Sequence, residues 1–158
     1  MAWAHVQSRS ADTGATATLV LAFLSNTVAG NLIVLAFTYG TTATDDVSTV
    51  ADTGLNTYTR VTNGWQKDPD NSQNLMMYYA KNIAGGANTV TVTLSGSRNF
   101  TAIAIHEYSG GDTTAPLDVS VGQFDNTGST ATDGDVSTAA TTTVNGDLIV
   151  GATVDTST

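Results

Sequence analysis

Eight residues constrain this chain more than any other stretch: Gly30-Asn31-Leu32-Ile33-Val34-Leu35-Ala36-Phe37. They form its longest apolar run and carry no charge. The run follows a turn at Thr27-Val28-Ala29 and leaves into Tyr39-Gly40-Thr41-Thr42. A helix usually needs more than ten residues, so a run this short, bounded by turn residues, suits a strand buried on both faces. Much the same wording returns at Gly146-Asp147-Leu148-Ile149-Val150-Gly151-Ala152. Two strands with one entry turn predict matched places in one core.

Composition points the same way. Thr is the commonest residue and favours strands. Thirteen of the fourteen acids are Asp, which suits turns, and Glu107 is the only Glu. Charged residues make up 12%, well below the roughly 25% of an average soluble domain, so the surface must be built from Thr, Ser, Asn and Gly. The net charge of −9 repels nucleic acid phosphates and anionic membranes and leaves neutral or cationic partners open. No segment approaches the roughly 18 apolar residues of a membrane span, so membrane insertion is not expected. There is no Cys to staple the fold, and 158 residues suffice for a core without one. The low-charge surface reads as extracellular, either secreted or at the cell surface.

Alternation of apolar and polar residues predicts strands at 3–8, 15–24, 31–38, 47–51, 57–62, 75–81, 89–94, 100–108, 117–124, 136–139 and 147–154. Asn63-Gly64 reads as a tight turn, residues 65–74 as the most polar loop, and 95–99 as a hairpin connection. No stretch keeps helical spacing over three turns. About ten short antiparallel strands in one domain over residues 1–158 predict an all-β sandwich or barrel. An unclosed sheet edge at the last strand would invite self-association.

Candidate chemistry is sparse. His106 and Glu107 are neighbours on a strand and must point to opposite faces, so they form no acid–base pair. No nucleophile elbow, zinc-protease helix or phosphate loop is present. The chain is therefore expected not to be an enzyme. His5 and His106 are too few and too separate in sequence to suggest zinc. Asp45-Asp46, Asp68-x-Asp70-Asn71, Asp125-Asn126 and Asp133-x-Asp135 are oxygen-rich loops of the kind Ca²⁺ uses, and Asp68 and Asp70 are the candidate ligands for one structural ion. Tyr58, Trp65, Tyr78 and Tyr79 lie close in sequence among Arg60, Gln66, Asp68 and other polar groups. Rings that stack on the C–H faces of sugars, beside groups that hydrogen-bond hydroxyls, make a glycan site. Of Tyr78 and Tyr79 one must face the core. The candidate site is Trp65, Tyr58 and Tyr79, with Arg60, Gln66 and Asp68 as polar partners.

The succession Gly30-Asn31-Leu32-Ile33-Val34, Ala51-Asp52-Thr53-Gly54-Leu55-Asn56-Thr57-Tyr58, Tyr79-Ala80-Lys81-Asn82-Ile83-Ala84-Gly85-Gly86-Ala87-Asn88-Thr89-Val90, Glu107-Tyr108-Ser109-Gly110 and Gly146-Asp147-Leu148-Ile149-Val150 resembles β-sandwich modules of large bacterial secreted or surface proteins. Some such modules are similar to jelly-roll carbohydrate-binding modules attached to polysaccharide-degrading enzymes. The resemblance implies a jelly roll, a structural Ca²⁺ in many cases, and a further strand or two after the last Leu-Ile-Val. The reading that joins these points is a non-catalytic module for a neutral polysaccharide such as a β-glucan. The alternative is a building block of a surface layer, filament or virion.

Overall fold

The computed structural model describes residues 2–40, 44–68, 73–122 and 140–154. These residues hold no helix and six antiparallel strands: β1 (Ala4–Ala22), β2 (Leu32–Tyr39), β3 (Val47–Asp52), β4 (Tyr58–Asp68), β5 (Gln73–Ala80) and β6 (Thr89–Ser109). Their order is β1-β6-β2-β5-β4, with β3 paired to β6 as well.

The long strands β1 and β6 pair along their whole length and divide into halves. Residues 4–12 of β1 and 101–109 of β6 continue into β2, β5 and β4. Residues 18–22 of β1 and 89–94 of β6 continue into β3. Between the halves both strands lose register, at residues 12–18 of β1 and opposite 94–101 of β6. Gly14 and Phe100 take positive φ there, and Thr13 and Thr101 join hydroxyls at 2.6 Å. Phe100 pays for its backbone with steric strain that a glycine would escape. Its effect is a change of phase. Val90, Val92 and Leu94 point inward on even numbers, Ile103, Ile105 and Glu107 on odd ones. The halves are tied where β1 passes itself: Arg9 donates to the Ala22 carbonyl, and Gln7 exchanges two hydrogen bonds with the Ser25 backbone.

Both halves feed one core. Leu19, Leu21 and Phe23 meet Ile33, Leu35, Phe37, Tyr39, Met76, Val90, Val92, Ile103 and Ile105. Each fully buried aliphatic or aromatic side chain stabilises the fold by about 1.5–3 kcal/mol relative to exposure. β2 lies at the centre, as its apolar run predicts, between β6 and β5. Tyr39 is sealed into this core, and its hydroxyl donates to the Thr44 carbonyl and accepts from the Asp46 amide. Burial pushes the Tyr39 phenol up to about 12.

Several expectations from the sequence change. The two strands expected at 3–8 and 15–24 are one, and so are those at 89–94 and 100–108. The polar tract after Asn63 extends β4 to Asp68 instead of opening a loop, because Trp65 to Asp68 find ladder partners in Met76 to Gln73. Residues 117–122 and 147–154 form no strand. Ile149, expected inside, is 83% exposed. The strand expected at 136–139 lies outside the described residues.

Candidate functional site

The sequence-derived aromatic set divides between two faces. Tyr58, Trp65 and Tyr78 pack against the core. Tyr58 donates to Asp52 Oδ2 at 2.9 Å, and burial, then the Asp52 charge, pushes its phenol well above the ordinary range. Trp65 is half-buried and donates its indole N–H to Asn74 Oδ1 at 2.9 Å. Tyr78 lies nearly parallel to Phe37, 5.8 Å between centroids. Tyr79, next along the strand, takes the opposite face.

The polar partners are engaged within the fold. Arg60 pairs with Asp45, and Gln66 donates to the Asn63 carbonyl. Asp68 is buried at the end of β4, and Asp70 lies outside the described residues. The neighbouring Asp46 pairs with Arg98, so the Asp45-Asp46 loop is neutralised by arginines. Among the described residues no group of three or more His, Cys, Asp or Glu side chains is placed to hold a metal. Asp125, Asp133 and Asp135 lie outside those residues.

The face of the five-strand half turned away from the core carries a different set of groups. One ladder row runs Thr59, Tyr79, Val34, His106, Ser8 across five adjacent strands. Tyr79 and His106 thus stand two strand spacings apart, about 9.5 Å. The next outer row toward the chain's start holds Leu32, Tyr108 and His5. His106 and Tyr108 are stacked, 6.1 Å apart with planes at 9°. His5 meets both edge-on, at 6.2 Å from His106 and 5.6 Å from Tyr108.

A β-bulge builds this cluster. Gln7 opposes Glu107, and regular pairing would next place Val6 opposite Tyr108. The extra residue at Val6 brings His5 there instead. Val6 is left exposed, and His5 changes from the core side to the outer side. Burial, and then His5, lowers the His106 pKa below that of an ordinary imidazole.

Below His106 the face becomes a groove of about 480 Å³ floored by Val34, Ala36, Ala102 and Ala104 and bounded by residues 150–153. Ser10, Asp12 and Thr38 supply polar groups at its sides. Small side chains leave room for a ring-shaped ligand, and the hydroxyls and carboxylate can hydrogen-bond it.

Glu107 lies on the other side of the sheet from His106, as the alternation requires, and is fully buried. The sequence reading singled out neither the His5–His106–Tyr108 cluster nor the groove. The two histidines are 101 positions apart, and the bulge that joins them leaves no mark in the sequence. Comparison with family models, curated proteins and solved structures finds no match to this chain.

Proposed function

We propose that this chain is a non-catalytic, extracellular glycan-binding module. On this reading the two halves of the sheet are the layers of a jelly-roll β-sandwich, and a neutral polysaccharide such as a β-glucan lies across the outer face. The observation that carries the reading is the outer-face row of the half-buried Tyr79 and His106, with Tyr108 and His5 beside it and a small-residue groove below. Rings at this spacing offer stacking surfaces to more than one sugar unit. Among the described residues Asp12 is the one carboxylate at the groove and no lysine or arginine lines it, which suits a neutral ligand. Tyr79 comes from the sequence-derived set. Tyr58 and Trp65 support the sheet from behind, with Arg60, Gln66 and Asp68 along β4.

A pull-down on insoluble polysaccharides tests the reading. The wild-type chain should be retained, and Tyr79→Ala and Tyr108→Ala should elute early with unchanged far-ultraviolet circular dichroism. Equal retention of both variants, or passage of the wild type through every matrix, would remove the proposal.

One observation favours a second reading, a building block of a larger assembly. Among the described residues β6 is the only ladder partner of β1, so the other edge of this 19-residue strand carries no strand pairing. Such edges pair with other chains. Sedimentation at rising concentration separates the two readings.

A further inference from the structure

We propose that His5 and His106 form a binding site for a borderline divalent metal ion of the Cu²⁺, Ni²⁺ or Zn²⁺ class. Imidazole suits these ions, and carboxylate-preferring ions such as Ca²⁺ gain nothing from it. The geometry is permissive. A metal–nitrogen bond of about 2.0–2.1 Å, plus roughly 1.1 Å from ring nitrogen to centroid, puts each centroid about 3.2 Å from a shared ion. Two rings can then lie up to about 6.4 Å apart, and about 5.2 Å in tetrahedral geometry. The two imidazoles stand at 6.2 Å, within that span and near its upper end, where the two nitrogens lie on nearly opposite sides of the ion.

Three features favour a site over a chance pair. The bulge at Val6 re-aims His5 onto the outer face, and bulges commonly serve that purpose beside functional sites. Tyr108 stacks on His106 and contacts His5, which limits the rotation of both rings. The two ligands come from different strands, so a bound ion clips the edge strand β1 to β6. With two protein ligands, the other coordination positions go to water or to a ligand on the outer face.

The site is read without any glycan, so its test stands apart from the proposed function. Untagged full-length chain is titrated with NiCl₂ and with CuCl₂ in a non-chelating buffer at pH 7.5, by calorimetry and by thermal melting. The expected result is one saturable site per chain and a melting temperature that rises with metal concentration. His5→Gln and His106→Gln should each weaken binding roughly tenfold or more. Both should keep the metal-free melting curve of the wild type, and Tyr108→Phe should retain the site. No saturable binding, or wild-type affinity in either histidine variant, would overturn the assignment. If a histidine variant melts early without metal, paramagnetic broadening by substoichiometric Cu²⁺ decides. Selective loss of the His5 and His106 ring signals in the wild type supports the site, and uniform loss across surface residues overturns it.

Discussion

Asn31 and Glu107 meet inside the protein, with the Asn31 amide nitrogen 2.6 Å from Glu107 Oε1. The same oxygen accepts the Val28 amide at 2.8 Å, and Oε2 accepts Gln7 Nε2 at 2.6 Å. The only glutamate of the chain thus gathers β1, the turn before β2 and Asn31 of the central apolar run onto β6. A carboxylate accepts only, so three donors pointing at it are all satisfied.

Glu107→Gln should therefore cost more than its near-identical shape suggests. The new amide places its own N–H groups against at least one of those donors. A buried donor left without an acceptor costs about 1–3 kcal/mol. The urea midpoint should fall with little change in slope. An unchanged midpoint would mean that the donors find other partners.

Asp52 gives stability a pH dependence. Its carboxylate accepts from the Asn56 backbone, the Asn56 and Asn88 side chains and the Tyr58 hydroxyl. Burial works to raise its pKa, but these hydrogen bonds outweigh it and hold the group below the ordinary 3.8. The folded state then binds its proton less readily than the unfolded state. The stabilisation is fully present above pH 3.8 and is lost as pH falls below it toward the folded value. Unfolding followed from pH 7 to pH 2.5 should show a gap between wild type and Asp52→Asn that narrows on acidification. A constant gap would show that the carboxylate charge is not what the cage rewards.

Asn63-Gly64 marks the limit of turn chemistry as a guide. The pair reads as a hairpin turn, and Asn63 does take the left-handed conformation, at φ 56°. Yet it sits within β4, at the register shift between Arg60 and Trp65. A Cβ on Gly64 would lie 2.7 Å from the Val61 carbonyl oxygen and 2.8 Å from that of Met77. Both contacts are backbone and cannot swing aside. Gly64→Ala should destabilise by about 1–3 kcal/mol in thermal or urea unfolding. A neutral effect would show that β4 can shift.

What the sequence could reveal follows from these cases. Strand class, the burial of residues 31–37 and the opposed faces of His106 and Glu107 depend on local alternation, and they are legible. Whether two strands fuse depends on the partner opposite. The shift at Gly14 faces that at Phe100, and neither is readable alone. The repeat at 147–152 has a strand's wording, but no ladder partner is supplied by the described residues. The His5–Tyr108 contact depends on one extra residue across a pairing of distant segments. Local periodicity contains no information on that register.

Trp65 and Tyr79 separate stability from binding. On sequence alone the two belong to one aromatic site, but β4 and β5 turn them to opposite faces. Trp65 packs against the core and holds Asn74, which is itself fully buried. Its replacement by Ala leaves a void and removes the hydrogen bond to Asn74 Oδ1. A half-exposed ring loses less than a fully buried one, so about 2–4 kcal/mol of stability should go. Tyr79 is also half-buried, but it stands on the outer row beside Val34. Tyr79→Ala should shift the melting temperature little and, if glycan stacks there, cost about 1–3 kcal/mol of binding. Both variants are to be carried through the same melting and retention assays. The expected pattern is crossed: Trp65→Ala melts early, while Tyr79→Ala binds weakly. The reverse pattern, with Trp65→Ala stable but unable to bind, would place the ligand on the β4 side and away from the outer face.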